Sequence, residues 1–236
     1  MIRLDYERIF LVMRVGIMQP YFFPYIGYFQ LINAVDSYVN LDHVSFMTRS
    51  FMTRNVLKNN TPFRIPVQGA SQSKKCSEIE TLVDSRYLRK TYKTIEHLYK
   101  KSINYEMVMD EVIAPSFAYQ HQTISEFNIN SIKLICQLLS IGTKFYDTSE
   151  DFMTSGLTGQ SSLIEITNQL SGSVYINAIG GKKLYSQREF EASNIELLFL
   201  KMGHPALEEP YLSIVHQLFC YPIDYVKEQL ESYELV

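Results

Sequence analysis

Residues Gln19 to Phe29 read QPYFFPYIGYF, and they hold the densest set of groups in the chain that can meet a ligand. Pro20 and Pro24 fix φ and remove two backbone donors, which forbids a regular helix and pins an extended loop. Tyr21 and Tyr25 are thereby offered as stacking faces that lose little entropy on binding. Gln19 adds an amide, Gly27 a close approach and Tyr28 a phenol. The plain alternative is a proline-braced aromatic plug that packs the end of a sheet. A second group lies in LDHVSFMTRSFMTRN, residues 41–55. Asp42 can orient an amine or hydroxyl, or take a proton as general base. Arg49 and Arg54 suit carboxylate or phosphate bidentately, and Asn55 adds an amide. An acid, two guanidiniums and an amide within fourteen residues make one candidate polar site, set against an ion-paired loop with Asp42 clamped by Arg49. The third group is NAIGGKKLY, residues 177–185: Gly180 and Gly181 expose backbone N–H groups, and Lys182 can meet a phosphate. Lys183 beside it could do the same; the spacing is not that of a Walker loop, and an ordinary turn explains it as well. His43 alone is a weak signal, His216 reads as a core or surface residue, and no ligand spacing for a metal occurs.

The elements that would carry these groups alternate. Val15 to Met18 reads as a buried strand, Gln19 to Tyr25 as the loop, Tyr28 to Ala34 as a helix and Ser37 to Leu41 as the next strand. That is a parallel βαβ unit. Residues 62–67 and 76–83 suggest a hairpin with GASQSKK as its turn. From Asp84 the chain turns helical, with Leu88, Tyr92, Ile95 and Tyr99 on one stripe. Helices are expected over 105–116 and 123–140, the latter with Ile124, Phe127, Leu134 and Leu138 aligned. Strand KFYDT, a helix from about Ser161 with a Ser162–Glu165 capping box, and strands at 173–178 and 195–200 follow. Two helices, about 210–219 and 222–233, close the chain. The expected class is α/β, a mostly parallel sheet with a β-hairpin and a helical insert over about 84–140. Residues 1–12 read as an N-terminal extension and 13–236 as a single domain.

The chain has 236 residues, 46% apolar and 20% charged, which excludes disorder and repeat fibres. No apolar run reaches the roughly 18 residues of a membrane span, and MIRLDYERIFLVMRV lacks a signal-peptide pattern. Cys76, Cys136 and Cys220 suggest neither a disulfide frame nor a zinc site, so a reduced, cytoplasmic protein is expected. The net charge of −3 hides a split: residues 42–104 hold 12 Lys/Arg against 5 Asp/Glu, and residues 105–236 hold 7 against 17. The basic block points to an anionic partner such as a nucleotide, a nucleotide sugar or tRNA, unless it is only a solvated helix face with Lys90, Lys93, Lys100 and Lys101.

Pro24-Tyr25-Ile26-Gly27-Tyr28 resembles the Pro-x-His-x-Gly-His loop of nucleotidyltransferases and pantothenate synthetases, with tyrosines in the histidine places. That resemblance implies a sheet of the HUP-like nucleotidyltransferase type. The tyrosines donate hydrogen bonds but bring no positive charge. The wider pattern is more specific. Gln19-Pro20-Tyr21, Pro24, Gly27-Tyr28-Phe29, Ala34-Val35-Asp36, Asp42, Phe46, Arg49, Arg54-Asn55 and Pro66-Val67 resemble the WbqC-like proteins, and YKTIEHLYKK, SVYINAIGGKKLY and YLSIVHQLF also fit. The resemblance covers about residues 14–220, with Tyr25 where tryptophan is common and His216 where aspartate is usual. It implies bacterial surface-polysaccharide (O-antigen) biosynthesis and a transferase that attaches glycine or a similar small acyl group to the amine of a nucleotide-linked amino sugar. On that reading Asp42 takes the amine proton, and Arg49 and Arg54 bind the diphosphate or the leaving group. Tyr21 and Tyr25 stack on base or sugar. The donor is either an acyl adenylate made with ATP and magnesium or a charged tRNA. A non-catalytic sugar-nucleotide binder and a nucleotidyltransferase-like enzyme are the competing readings.

Overall fold

β1 (Arg14–Met18) is the centre of the molecule because both of its faces are apolar-lined. Val15 and Ile17 point to one side, while Gly16 and Met18 point to the other. The computed structural model describes residues 12–118 and 123–236, so most of the expected extension at 1–12 lies outside the described residues. After β1 come α1 (Ile26–Asn33) and β2 (Ser37–Asn40), the predicted βαβ unit. A Cβ on Gly16 would come within 2.9 Å of Leu31 on α1, so glycine lets that helix lie close on the sheet.

Next come β3 (Arg54–Leu57), β4 (Thr61–Arg64), β5 (Val67–Gln68) and β6 (Glu80–Thr81). They are followed by α2 (Ser85–Tyr99), α3 (Tyr105–Val108), α4 (Ala114–Ala118) and α5 (Ile124–Leu138). A π turn, Met109–Ile113, joins α3 to α4. The second half runs β7 (Lys144–Tyr146), α6 (Gln160–Gln169), β8 (Val174–Ala178), α7 (Gln187–Glu191), β9 (Glu196–Met202), α8 (Ile214–Cys220), α9 (Ile223–Glu228) and β10 (Tyr233–Leu235).

The main sheet has the order β10-β9-β8-β1-β2-β7, parallel except for β10. Counted along the chain within this sheet, that order is 3-2-1-4-5-6, the arrangement of a doubly wound sheet. Two apolar layers follow from it. Val15, Ile17, Val39, Tyr175 and Leu197 meet α6 and α7 through Leu163, Ile166 and Phe190. Tyr38, Ile176 and Leu200 meet α1, α5, α8 and α9 on the opposite face.

Four local expectations change. Residues 61–64 pair with 54–57, and the anticipated partner stretch meets only at Val67–Gln68 with Glu80–Thr81. The Ser162–Glu165 capping box does not form: α6 is preceded by Gly159 at φ 56, and Glu165 instead accepts from Gln169. On α5 the fully buried line is Ile124, Phe127, Asn128, Ser131, Ile132 and Ile135, with Leu134 and Leu138 at its margin. The chain closes on an antiparallel strand, because residues 233–235 find the open edge of β9. The helix does start at Asp84, whose carboxylate caps it by accepting from Tyr87 N at 2.6 Å. The stripe of α2 is also inward, with Ile95 and Tyr99 buried and Leu88 and Tyr92 packed beside them.

Candidate functional site

A doubly wound sheet opens a crevice at the carboxyl ends of the two strands where the order reverses. Here those strands are β1 and β8. Their exits are Gln19–Tyr25 and Asn177–Tyr185, so the fold brings two of the three groups singled out in the sequence to one edge.

The first loop is held by its carbonyls. Prolines leave it short of donors, and buried side chains supply them. Tyr28 Oη donates to Gln19 O at 2.8 Å, and Asn128 Nδ2 to Pro20 O at 3.0 Å. Asn55 Nδ2 donates to Phe23 O at 2.6 Å and Phe22 O at 3.3 Å. Ser213 Oγ donates to Phe23 O at 2.7 Å, and the Ile214 N–H to Pro24 O at 2.8 Å. Phe23 sits at φ 42, a left-handed conformation that costs an L-residue about 1–2 kcal/mol and persists only when clamped in this way.

The loop's aromatics divide. Phe22 and Phe23 turn inward onto Phe63, at 4.7 and 5.2 Å between ring centroids, and both lie against Phe127. Tyr21 and Tyr25 stay half-buried at the surface. Tyr21 meets Phe51 at 5.7 Å, and Tyr25 meets Tyr211 at 6.2 Å. Phe51 and Tyr211 are themselves 57% and 75% exposed, so the platform carries more aromatic surface than the core absorbs. Burial raises the Tyr21 phenol, helped by Tyr185, and raises Tyr25, helped by Tyr21 and Tyr211. Both therefore remain hydrogen-bond donors. Tyr28 is different. It is buried, its hydroxyl lies 2.5 Å from that of Tyr38, and burial first and Tyr38 second push its pKa well up. Pro20, Gly27 and Tyr28 are therefore braces beneath the platform rather than contact residues.

Gly27 is needed where it stands. A Cβ there would lie 2.4 Å from the Tyr25 ring. Gly27→Ala is expected to swing that half-exposed ring out of place, costing less than about 1 kcal/mol of stability because a surface side chain can move. A thermal melt of the variant beside the wild type reads this small cost.

From β8, Asn177 Nδ2 donates to Tyr175 Oη at 2.7 Å and Tyr185 Oη at 3.2 Å, while its Oδ1 accepts from Ala178 N. The turn Ile179–Gly181 lies beyond it. At Gly181 an added Cβ would sit tightly, 3.0 Å from Tyr185 Cε2. Gly180 and Lys182 are open to solvent.

The second group does not assemble as the sequence suggests. Asp42 is 4% exposed and saturated: Oδ1 accepts from Thr148 Oγ1, Ser149 N and Ser149 Oγ at 2.9, 3.0 and 3.2 Å, and Oδ2 from Ser125 Oγ at 3.1 Å. Those bonds tie β2 to α5 and to the turn at 149–151, which is a positioning task, not that of a free base. Asn55 is turned under the Gln19–Tyr25 loop. Arg54 precedes it on β3, and strand alternation sends it out to solvent beside Arg64. Arg49 is exposed at φ 62, two residues before Phe51. Among the described residues no ion pair joins Asp42 to Arg49 or Arg54.

Sequence reading passed over several residues that the fold brings in. Phe51, Tyr185 and Tyr211 extend the platform, and Asn128 and Ser213 clamp the loop. His43, at the exit of β2, has its ring against the Lys75 ammonium, and its backbone N–H donates to Ser149 Oγ at 3.1 Å. A partner 32 residues away leaves no local spacing to detect. His216 is buried between α2 and α8, its Nδ1 3.3 Å from Tyr99 Oη, and burial lowers its pKa. Among the described residues no group of His, Cys, Asp and Glu stands together as a metal site.

Cys76 borders this region, and its thiol is pushed up to about 12 by burial first and the Asp42 charge second. The folded state thus keeps a proton that the unfolded thiol releases from about pH 9. This contribution is complete below pH 9 and declines as pH rises toward 12, by about 1.4 kcal/mol per unit. Unfolding free energies from urea titrations at pH 8 and 10.5 should differ for the wild type by about 2 kcal/mol more than for Cys76→Ala; equal losses would clear Cys76 of this role.

Comparison with known proteins adds three findings. The model of the WbqC-like protein family matches residues 19–228. The uncharacterized protein Rv1507c of Mycobacterium tuberculosis is 23% identical over 217 residues, which is 87% of this chain and 93% of that protein. No solved structure matches.

Proposed function

Because the chain belongs to the WbqC-like protein family, we propose that it is a transferase attaching glycine, or a similar small acyl group, to the amine of a nucleotide-linked amino sugar in surface-polysaccharide biosynthesis. The observation that carries this reading is the clamped loop at the strand switch, which presents Tyr21 and Tyr25 beside Tyr185 and the Gly180–Lys182 turn. In this proposal the tyrosines stack on base or sugar, and the turn's N–H groups with Lys182 take the diphosphate. Arg49, next along the chain to the Phe51 edge of the platform, takes the acid or its leaving group. Gln19 bonds the sugar. His43 replaces Asp42 as the base, with Asp42 and Ser149 holding its backbone. The amine attacks the acyl carbonyl, the bond to AMP or to tRNA breaks, and the amine's proton passes to His43. The sheet order agrees with an HUP-like nucleotide site, and the activated acyl group comes either from glycine adenylated by magnesium-bound ATP, with pyrophosphate leaving, or from a charged tRNA.

The test is incubation of pure protein with amino-sugar nucleotides, glycine and ATP, with and without charged tRNA, read by mass spectrometry. An acylated sugar is the expected product, and its absence across several amino sugars would defeat the proposal. Tyr21→Ala should weaken sugar-nucleotide affinity about 10- to 100-fold, the worth of one stacked ring, in a protein that still folds and melts cooperatively, though at a lower temperature because the ring packs on Tyr28 and Phe51. Tight binding with no product in any mixture would instead favour the non-catalytic binder, which the uncharged tyrosine loop also suits.

A further inference from the structure

The cations of the basic block gather away from the crevice. On α2, Arg86, Lys90, Lys93, His97 and Lys100 follow spacings of 4, 3, 4 and 3, so they form one stripe. It lies opposite the inward stripe of Leu88, Tyr92, Ile95 and Tyr99. All five are exposed.

A second wall runs beside them. The hairpin β3–β4 is tied to α2 at both ends: Tyr87 Oη donates to Arg64 O at 2.7 Å, and Lys58 N donates to Tyr99 Oη at 2.9 Å. Between the two lies an open groove of about 480 Å³, lined by Thr61 of the hairpin and by Arg86, Arg89, Lys90, Lys93 and His97 of the helix, with no acidic side chain in its wall. On the hairpin, Arg54 and Arg64 stand directly opposite each other, an arrangement that is unfavourable unless an anion lies near. Among the described residues none of these cations is in an ion pair.

We propose that this groove is a docking surface for the phosphodiester backbone of a nucleic acid. The stripe from residue 86 to residue 97 runs about 16 Å at 1.5 Å per residue, room for about five phosphates at 3.4 Å each along a strand. A membrane surface fits poorly, because an interfacial helix needs a broad apolar face beside its cations, and the groove's lining holds one large apolar side chain of α2, the half-buried Leu98, among its cations. This inference stands apart from the acyl-transfer reading. If both hold, a charged tRNA becomes the natural donor.

The probes are a fluorescent uncharged tRNA, a DNA duplex of similar length, and vesicles containing anionic phospholipid, each titrated by anisotropy or co-sedimentation at several salt concentrations. Nucleic-acid binding is expected, with log K falling against log salt at a slope of about −3 to −5 for five contacts. Lys90→Glu with Lys93→Glu should reduce affinity at least tenfold and flatten the slope, while Arg188→Ala, on α7, should change neither. Stronger binding to tRNA than to DNA, or the reverse, identifies the source. Overturning results are no nucleic-acid binding, binding that the double reversal leaves intact, or binding to vesicles alone. Melting curves of the double variant guard against misfolding, and because no acyl transfer is measured, failure here leaves the proposed activity untouched.

Discussion

Asn128→Leu is expected to lower stability by about 2–5 kcal/mol, since two buried carbonyls each lose a donor worth about 1–3 kcal/mol. Asn128 has no solvent exposure, and its Nδ2 donates at 3.0 Å to Pro20 O and at 2.9 Å to Met52 O. Leucine nearly fills the same volume, so the loss reports the hydrogen bonds rather than a cavity. Both carbonyls belong to segments that carry platform rings, Tyr21 on one and Phe51 on the other. The same substitution should therefore also loosen the Gln19–Tyr25 loop at temperatures where the fold survives. Urea unfolding with an unchanged m-value would measure the first effect, and protease cleavage between residues 19 and 25 would report the second. A change smaller than about 0.5 kcal/mol, typical of a surface site, would mean that the loop is not held from below.

For the proposed acyl transfer, His43→Gln is expected to cut turnover by about 10²- to 10⁴-fold, the usual worth of a positioned base, with KM for the proposed sugar-nucleotide acceptor nearly unchanged. Glutamine can still meet the Lys75 ammonium but cannot take a proton, so the loss isolates proton transfer. Asp42→Asn, by contrast, replaces an acceptor for four donors with a group that must itself donate. It should act through stability, read as a lowered urea midpoint, and not through proton transfer. A His43→Gln protein with full turnover would remove His43 from the reaction.

Much of the fold was legible because periodicity is local. The βαβ start, the parallel strands at 173–178 and 195–200, and the apolar stripe of α2 each show within a dozen residues. Pairing was less so. PFR at 62–64 could meet either neighbour, and the nearer one won through a four-residue register with β3. The last strand hid in a helical pattern because its stability comes from the free edge of β9. The site followed the same division. Two prolines with four aromatics announced a braced loop, but not that Phe22 and Phe23 would turn in while Tyr21 and Tyr25 stayed out.

By itself the sequence determined which chemistry was on hand: phenols on a stiff loop, a glycine-rich turn, and a run of cations at helical spacing. Only the tertiary structure decided where each faced. It buried Asp42 under four donors, drew Asn55 beneath the loop, sent Arg54 outward, and joined His43 to Lys75 from 32 residues away. The reason is physical. Residue type and spacing act within a turn or a strand, whereas desolvation and hydrogen-bond satisfaction are settled by whichever distant segments close over a group.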